Sequence, residues 1–266
     1  MISAEILEDS VNDKGKRLTT FKLIYPKFIH THILTHRVFS RNTSSSRAIP
    51  PAKLARLVRE NPAMPIYWGK NRSGMKATEE VDTAEACKWW LESMESALAR
   101  HEIGMRMDIH KEVLNRVIEP YAHVVVVLSG TEFDDAIDVR TNQEGPQAET
   151  ARTFWLMGDL LVNNSPKELK DGEWHLPLVS LSERTGNHIN DAYVSAARCG
   201  RVSFLLPDLT YEEDMAKGAA MESVKHWSPL EHQATPYDPR IHTEDAQRNY
   251  RGWVQLRALV DGKCKK

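Results

Sequence analysis

A short polar segment in the first fifth of the chain carries the side chains best suited to bind a charged ligand. The thirteen residues from Thr35 to Arg47, THRVFSRNTSSSR, contain one histidine, three arginines, four serines and one asparagine. Guanidinium groups and small hydroxyl donors together suit an anionic, planar, oxygen-rich ligand such as a nucleotide or a flavin phosphate. From composition alone, the alternative is a serine-rich surface loop with incidental charges.

The spacing favours the ligand site, because it resembles the signature of the flavin-dependent thymidylate synthases. That signature reads Arg-His-Arg, two residues, Ser, one residue, Asn-Glu, one residue, Ser, Gly or similar, Arg-Tyr. The positions that match are His36, Arg37, Ser40, Asn42, Ser45 and Arg47. The positions that differ are Thr35, Thr43, Ser46 and Ala48, which stand where the family has Arg, Glu, Gly and Tyr.

Further segments resemble the same family. The stretch from Glu132 to Arg140 is similar to the segment whose final arginine holds the nucleotide, and Gln147-Ala148-Glu149 resembles the family's Ala-Gln-x-Glu. Residues 110–121 look like the family's helix running into a Leu-Pro corner. His123 stands near the place where the family often has another nucleotide-binding arginine.

The order of the segments is permuted relative to the family. Segments similar to Ala-Arg-Val-Ser and Ser-Pro-Phe-Glu-His, which usually come before the signature, occur here at 197–204 and 228–232. Chain termini often lie close together at the surface, so a circular permutation can preserve a fold. We therefore expect one domain over 1–266, with the signature at 19–50, a core at 100–165 and a relocated segment at 190–235. Arg198, Arg201, Glu231 and His232 are then expected to fold back onto the loop from His36 to Arg47.

The resemblance implies an α+β fold, a mixed or antiparallel sheet flanked by long helices, of the thymidylate synthase-complementing-protein type. It also implies an enzyme that transfers a one-carbon unit from methylene-tetrahydrofolate to C5 of a deoxyuridine monophosphate-type nucleotide, giving dTMP. Side chains cannot donate hydride, so a cofactor supplies it; the family uses FAD, with NADPH as reductant, in a homotetramer. The catalytic residues implied are His36, Arg47 and Arg140. The cofactor-binding residues implied are His36, Arg37, Ser40, Asn42, Glu231 and His232. The substrate-binding residues implied are Ser45, Ser46, Arg47, His123, Arg140, Arg198 and Arg201.

The elements that must position these residues follow from hydrophobic periodicity. Alternating Phe21, Leu23 and Tyr25 predict a strand, and the valine-rich run from Val124 to Ser129 predicts a buried strand. Helices are predicted at 51–60, 83–106, from Pro146 through Leu161, and at 187–199, 211–226 and 242–260. The stretch from Asn163 to Pro177 is predicted to be a linker.

Composition excludes several other classes. The chain has 266 residues, a formal net charge of -2 and 27% charged residues, with no basic stripe that would indicate a nucleic-acid partner. No apolar run is long enough to span a bilayer, and no secretory signal is recognisable. Three scattered cysteines, Cys87, Cys199 and Cys264, are typical of a reducing cytosol, so a cytoplasmic enzyme acting on a small molecule is expected.

Other functions stay open at this point. Thr35, Thr43 and His123 favour a relative with a changed reaction, such as a pyrimidine nucleotide hydroxymethylase or a methylase of another pyrimidine. A non-catalytic nucleotide-binding module is a second class. A Ser/His hydrolase is disfavoured because no Gly-x-Ser-x-Gly elbow is present, and the spacing of His30, His32 and His36 fits no metal site.

Overall fold

The computed structural model describes residues 1–74, 77–141 and 147–262. Its main sheet has five strands in the order β3-β4-β2-β1-β5, and a separate pair joins β6 to β7. The strands are β1 (Ser3–Asn12), β2 (Arg17–Pro26), β3 (Ser40–Thr43), β4 (His123–Gly130), β5 (Lys167–Leu169), β6 (Ala234–Pro236) and β7 (Trp253–Gln255).

The main sheet is mixed. Strands β1 and β2, β2 and β4, and β3 and β4 pair antiparallel, whereas β5 pairs parallel to β1. In the β2–β4 ladder Phe21 lies opposite Leu128, and Leu23 lies opposite Val126. Since side chains alternate between faces along a strand, this register places the apolar residues of both strands on one face.

That apolar face forms the main hydrophobic core. It packs against Phe133, Ala136, Phe154 and Met157, which come from two helices and the turn before them. The opposite face is polar where it meets the C-terminal part of the chain: Thr20 and the other hydroxyl side chains of this face are buried there. The sheet therefore separates a hydrophobic layer on one face from a layer of buried hydrogen-bonding groups on the other.

The helices surround this sheet. Pro51 opens α2 at its first position, where its missing N–H costs nothing. The Asp82 side chain caps α3 by accepting from the Glu85 backbone N–H, and Thr210 and Glu213 form a capping box on α8. The helices are α1 (His30–Leu34), α2 (Pro51–Glu60), α3 (Thr83–Arg106), α4 (Lys111–Leu114), α5 (Asp134–Thr141), α6 (Ala148–Asn163), α7 (His188–Arg201), α8 (Tyr211–Ser223) and α9 (Leu256–Val260).

Most predicted elements are confirmed. Helices α2 and α3 have the predicted bounds, β4 contains the valine run, and α7 and α8 agree with prediction to within three residues at either end. The predicted start of the next helix at Pro146 lies outside the described residues, and the described part begins at Ala148.

The predicted helix over 242–260 is wrong. The region holds a 3-10 turn at Glu244–Gln247, the strand β7 and the short helix α9. Arg248 and Gly252 have positive φ angles of 52° and 80°, which a right-handed helix cannot contain. The predicted helix would place Arg251 and Gln255 one helical turn apart, whereas in the structure Gln255 ends the strand β7.

Two smaller predictions are also corrected. The predicted linker 163–177 contains β5, which extends the sheet, and His175 within it hydrogen-bonds Ser10 and Thr20. The stretch 110–121 is not one helix: α4 is followed by 3-10 turns at Asn115–Val117 and Glu119–Tyr121.

The α+β class with a mixed sheet and long helices is as predicted. Among the helices of the described residues, none combines the length and apolar character needed to cross a bilayer.

We predict that Gly252→Ala destabilises the protein more than Gly172→Ala does. Gly172 has a φ of 86° and Gly252 a φ of 80°, so both variants carry the strain of a left-handed backbone. A Cβ at Gly252 would also lie 2.9 Å from the Asn12 side-chain nitrogen, whereas a Cβ at Gly172 meets nothing within 4 Å. We expect about 1 kcal/mol for Gly172→Ala and about 2–3 kcal/mol for Gly252→Ala in denaturant unfolding. Equal losses would contradict the close approach of Gly252 to Asn12.

Candidate functional site

The signature segment crosses the sheet edge in three parts. His36 and Arg37 lie in the turn that follows α1, Ser40 and Asn42 belong to the edge strand β3, and Ser45–Arg47 lie in the turn that leads to α2. Because β3 is extended, the residues before it and the residues after it contact different parts of the protein. The signature residues are therefore distributed over two neighbouring regions.

At the first end, His36 contacts Arg140, the single arginine of α5. The Arg140 Nε–H donates to His36 Nε2 over 3.1 Å, and Arg140 Nη2 donates to the Thr35 hydroxyl over 2.9 Å. The imidazole is half-buried and lies 5.3 Å from the Phe154 ring and 5.9 Å from the Phe39 ring, centroid to centroid. Two segments 104 residues apart thus meet through the side chains that the signature and α5 supply.

Burial and the contact with Arg140 together favour the neutral form of His36. Burial lowers the pKa of His36 below its usual value, and the positive charge of Arg140 lowers it further. A neutral imidazole that accepts at Nε2 carries its proton on Nδ1. His36 is therefore a neutral hydrogen-bonding group at pH 7, held in one tautomer.

At the other end of β3, the turn 45–47 is fixed by backbone and side-chain bonds. The Ser45 N–H donates to the Ser203 carbonyl over 3.0 Å, which joins this turn to the C-terminal part of the chain. The Ser46 hydroxyl donates to Glu119, and the Ser46 carbonyl accepts from Asn115 Nδ2 over 2.7 Å. The Ser46 side chain is thus engaged within the protein.

Arg47 is the available cation of this turn. Its side chain is 63% exposed, and its ion pair with Glu112 spans 3.7 Å. An exposed pair of that length contributes little to stability. The guanidinium can therefore exchange its partner for a ligand.

His123 does not supply a positive charge. Its Nδ1 lies 3.2 Å from the Asn61 carbonyl oxygen and its Nε2 lies 2.9 Å from the Met1 amine. Burial, followed by the amine charge, lowers the pKa of His123 to about 4. At pH 7 the side chain is a neutral hydrogen-bonding group beside Ser44 and Ser46.

Arg198 and Arg201 are paired with carboxylates between α7 and α8. Arg198 Nε lies 3.0 Å from Asp214 Oδ2, and Arg201 pairs with the other oxygen of the same carboxylate. Glu183 and Asp208 add a second carboxylate to each arginine. Both arginines line a groove of about 610 Å³ on the polar face of the sheet, but the pairs hold their guanidinium groups in a structural network.

The buried residues of the site form a chain of hydrogen bonds. His232 Nδ1 lies 2.8 Å from the Ser129 hydroxyl, which lies 2.6 Å from the Thr20 hydroxyl, which in turn lies 2.8 Å from His175 Nε2. Burial lowers the pKa of His232 to about 3, so it stays neutral. Asn42 Nδ2 and His232 Nε2 are buried without a hydrogen-bond partner among the described residues.

The structure brings the distant C-terminal segments onto the signature within one chain. Glu231 shares a cleft of about 490 Å³ with Arg37, Phe39 and Arg41. Ser203 bonds the turn at Ser45. Of the four residues expected to fold back onto the signature loop, Glu231 therefore lies beside its His36 end and not at the turn 45–47, whereas Arg198 and Arg201 are paired with carboxylates between α7 and α8. The circular permutation itself stays a prediction.

Sequence reasoning missed two residues that complete this region. Asn249 Nδ2 donates to the Val38 carbonyl over 2.9 Å and lies 3.1 Å from the Ser40 hydroxyl. Gln255 Nε2 also lies 3.1 Å from the Ser40 hydroxyl. The polar residues between Asn249 and Arg257 could have indicated a contribution to the site, but the predicted helix over this segment placed their side chains wrongly.

The three histidines near the signature have separate partners. His30 Nδ1 lies 2.9 Å from the Tyr25 hydroxyl, and His32 Nδ1 lies 2.7 Å from the Thr150 hydroxyl. Within the described ranges, no group of three or more metal-binding side chains converges.

With this geometry in hand, comparison with known proteins gives a structural likeness. No protein-family profile and no curated protein matches the chain. The crystal structure of the UMP/dUMP methylase PolB from Streptomyces cacaoi bound with 5-Br UMP aligns with a TM-score of 0.50 and 15% identity, over 61% of this chain and 89% of that chain. A second structure of PolB, with 5-Br dUMP, aligns with a TM-score of 0.47 and 13% identity over 61% and 90%.

The likeness identifies the fold. The α+β architecture with its mixed sheet is the thymidylate synthase-like fold of PolB. At this level of identity a shared fold does not by itself assign an activity.

We predict that Arg140→Gln raises the pKa of His36. The substitution removes the positive charge that disfavours the imidazolium, while the burial that also lowers the pKa remains. The His36 pKa should therefore rise but stay below that of a free histidine, as followed by NMR titration of the imidazole resonances. Arg47→Gln, at the far end of β3, is the matched control and should leave the titration unchanged. An unaltered His36 pKa in Arg140→Gln would rule out the contact.

Proposed function

We propose that this chain is a flavin-dependent pyrimidine nucleotide methylase. In this reaction a one-carbon unit passes from methylene-tetrahydrofolate to C5 of a deoxyuridine monophosphate-type nucleotide, with electrons from FAD that NADPH has reduced. The proposal also includes assembly into a homotetramer. The observation that carries it is the contact of His36 with Arg140, which joins the two segments that resemble the family's flavin and nucleotide sites.

The fold gives independent support for this substrate class. The structural neighbour PolB is a methylase of UMP and dUMP, so the same architecture is compatible with chemistry at a pyrimidine nucleotide. Two sources of different kind, motif spacing and backbone fold, therefore point to one substrate class.

The positive charge of the residues around Arg37 suits a flavin cofactor that carries negatively charged phosphates. Arg37 is exposed, and the cleft that it lines contains three further arginines. When bound, the flavin would supply the hydride that no side chain can donate. Arg37, the neutral His36 and Glu231 are the residues that would hold it, whereas Ser40, Asn42 and His232 are buried and would act by fixing those that touch it.

On the nucleotide, the protein's task is binding and orientation. Arg47 is exposed and only weakly paired, so it would bind the phosphate. Arg140, held by His36 and Thr35, would orient the pyrimidine. The neutral His36 would hydrogen-bond a carbonyl or ring nitrogen and leave the charge to the arginines.

A second candidate is a pyrimidine nucleotide hydroxymethylase, or a methylase of another pyrimidine. The observation that favours it is the neutral state of His123, since the family often has an arginine at that position. Thr35 accepts a bond from Arg140 where the family has a further cation. A site with fewer positive charges would tolerate a different base or leave the one-carbon unit at another oxidation level.

Product analysis separates these candidates. Purified protein is incubated with FAD, NADPH and methylene-tetrahydrofolate carrying an isotopic label, and with either dUMP or dCMP. Label in a methyl group on dUMP supports the methylase, and label in a hydroxymethyl group or on dCMP supports the second candidate. Nucleotide binding with no labelled product from either substrate would reject both and leave a non-catalytic binding module.

We predict that Arg47→Ala and Arg140→Ala each weaken dUMP binding. Loss of a hydrogen bond to a charged group should cost about 1.5–3 kcal/mol, or about tenfold to a hundredfold in affinity. Arg56→Ala is the matched control, because Arg56 lies on α2, is 65% exposed and pairs with Glu60 at 3.9 Å. Calorimetric titration with dUMP measures the effect. Dissociation constants equal to that of the control would reject both assignments.

We predict that no cysteine acts as a nucleophile. Cys199 is fully buried, and burial raises the pKa of its thiol to about 12, so it carries almost no thiolate at pH 7. Cys87 is half-buried on α3, and Cys264 lies outside the described residues. The triple variant Cys87→Ala, Cys199→Ala, Cys264→Ala should keep its turnover, measured by product formation. A folded triple variant, checked by circular dichroism, that has lost all turnover would refute this.

A further inference from the structure

A cleft of about 490 Å³ lies between the signature loop and the C-terminal segment, and its lining is rich in arginine. Four arginines line it, Arg37, Arg41, Arg248 and Arg257, together with one acidic residue, Glu231. Two of the arginines come from the signature, and the other two come from a segment more than 200 residues later. In the function proposed above, Arg248 and Arg257 contribute only to the overall charge of the cleft, and neither is assigned a contact with a ligand.

Three of these arginines are held in place by contacts with the protein. Arg41 Nη1 lies 3.2 Å from the His36 carbonyl oxygen and 3.4 Å from that of Phe39. Arg257 pairs with Glu231 and lies over the Trp227 ring, with its guanidinium carbon 5.6 Å from the ring centroid. Arg248 Nη2 lies 2.6 Å from Asp261 Oδ2. These contacts reduce the entropy that a ligand would otherwise have to remove from long side chains.

Arg37 differs from the other three. It is exposed, and within the described part of the chain it makes no hydrogen bond or ion pair with another residue. Its neighbour Val38 is fixed from the C-terminal side, because the Val38 carbonyl accepts from Asn249 over 2.9 Å. The loop is thus positioned while its guanidinium stays available for a ligand.

The backbone at Arg248 is strained. Its φ of 52° and ψ of -115° lie in a region that residues with a Cβ rarely adopt. A glycine would adopt this conformation at lower cost, yet the position carries an arginine. Strain of this kind is concentrated at ligand sites, where the side chain is needed despite the conformation.

From these observations we infer that Arg248 and Arg257, together with Arg37 and Arg41, form a binding site for the diphosphate group of a dinucleotide. Guanidinium groups bind phosphate oxygens in pairs. With Glu231 paired to Arg257 and Asp261 paired to Arg248, the four arginines keep an excess of two positive charges, which equals the two negative charges of the diphosphate in a dinucleotide. The volume exceeds that of a diphosphate alone and leaves room for an adjoining sugar. The dinucleotide part of this inference rests on the proposed function, but diphosphate binding does not require turnover.

The test uses inorganic pyrophosphate as the probe and the full chain in calorimetric titrations. Wild type should bind it saturably, and Arg248→Gln and Arg37→Gln should each bind it about tenfold to a hundredfold more weakly. Arg251→Gln is the matched control: Arg251 lies in the same segment, is 73% exposed and pairs with Glu132 outside the cleft. No saturable binding by wild type, or equal affinities in all four proteins, would overturn the inference.

A glycine variant separates ligand binding from folding. Arg248→Gly removes the charge and also relieves the backbone strain, so it should bind pyrophosphate as weakly as Arg248→Gln but melt at a higher temperature. A residue with only a structural role would not lose affinity while the fold gains stability. If Arg248→Gly bound pyrophosphate like wild type, Arg248 would not belong to the site.

Competition identifies the source of the diphosphate. FAD or NADPH should displace pyrophosphate from wild type, and riboflavin, which lacks phosphate, should not. Displacement by neither dinucleotide would overturn the inference. Displacement by a dinucleotide in a protein that forms no labelled product would leave the site in place and reject only the proposed reaction.

Discussion

The side-chain amide of Gln255 is the interaction on which the candidate site depends. Gln255 is fully buried, and its Nε2 lies within 3.1 Å of three acceptors that share its two N–H groups: the Ser40 hydroxyl, the Glu231 carbonyl and Asn249 Oδ1. Its Oε1 is buried without a hydrogen-bond partner among the described residues. The three acceptors belong to the signature strand, to the 3-10 turn Ser228–Glu231 and to the C-terminal segment, and the first is more than 190 residues from the other two. Since an unsatisfied buried polar group costs about 1–3 kcal/mol, each segment is held in the position where its acceptor meets this amide. The arginine-lined cleft forms between these three segments because Gln255 holds them close to one another.

The two faces of the sheet explain how such a polar contact is tolerated. One face is covered by the aliphatic and aromatic side chains of the main core, which need no partners. On the other face one hydrogen-bonded chain joins the Ser10 hydroxyl, the His175 imidazole, the Thr20 and Ser129 hydroxyls and the His232 imidazole, in that order. Burial keeps both imidazoles neutral by lowering their pKa values. A neutral, almost fully paired chain avoids the cost of buried charge and fixes the C-terminal part of the protein at one register on the sheet.

The sequence predicts local elements well and their assembly poorly, for physical reasons. Helix α3 and strand β4 have strong periodicity or β-branched runs, so their existence and type follow from local pattern. The region 242–260 has apolar spacing that suits a helix, but Arg248 and Gly252 adopt positive φ angles that tertiary contacts impose. The signature indicated that His36 and Arg47 belong to one segment that could bind a ligand. It could not show that they lie at opposite ends of an extended strand, or that Asn249 and Gln255 hold that strand from the other end of the chain.

The central claim is that the C-terminal segment holds the signature strand and the 228–231 turn together through Gln255. Hydrogen–deuterium exchange of Gln255→Leu, followed by mass spectrometry, tests it most directly. Leucine leaves the acceptors on Ser40, Glu231 and Asn249 without their shared donor. The account predicts faster exchange in residues 36–43 and 228–232 as well as in 249–262, with α3 unchanged. Faster exchange confined to 249–262 would contradict it.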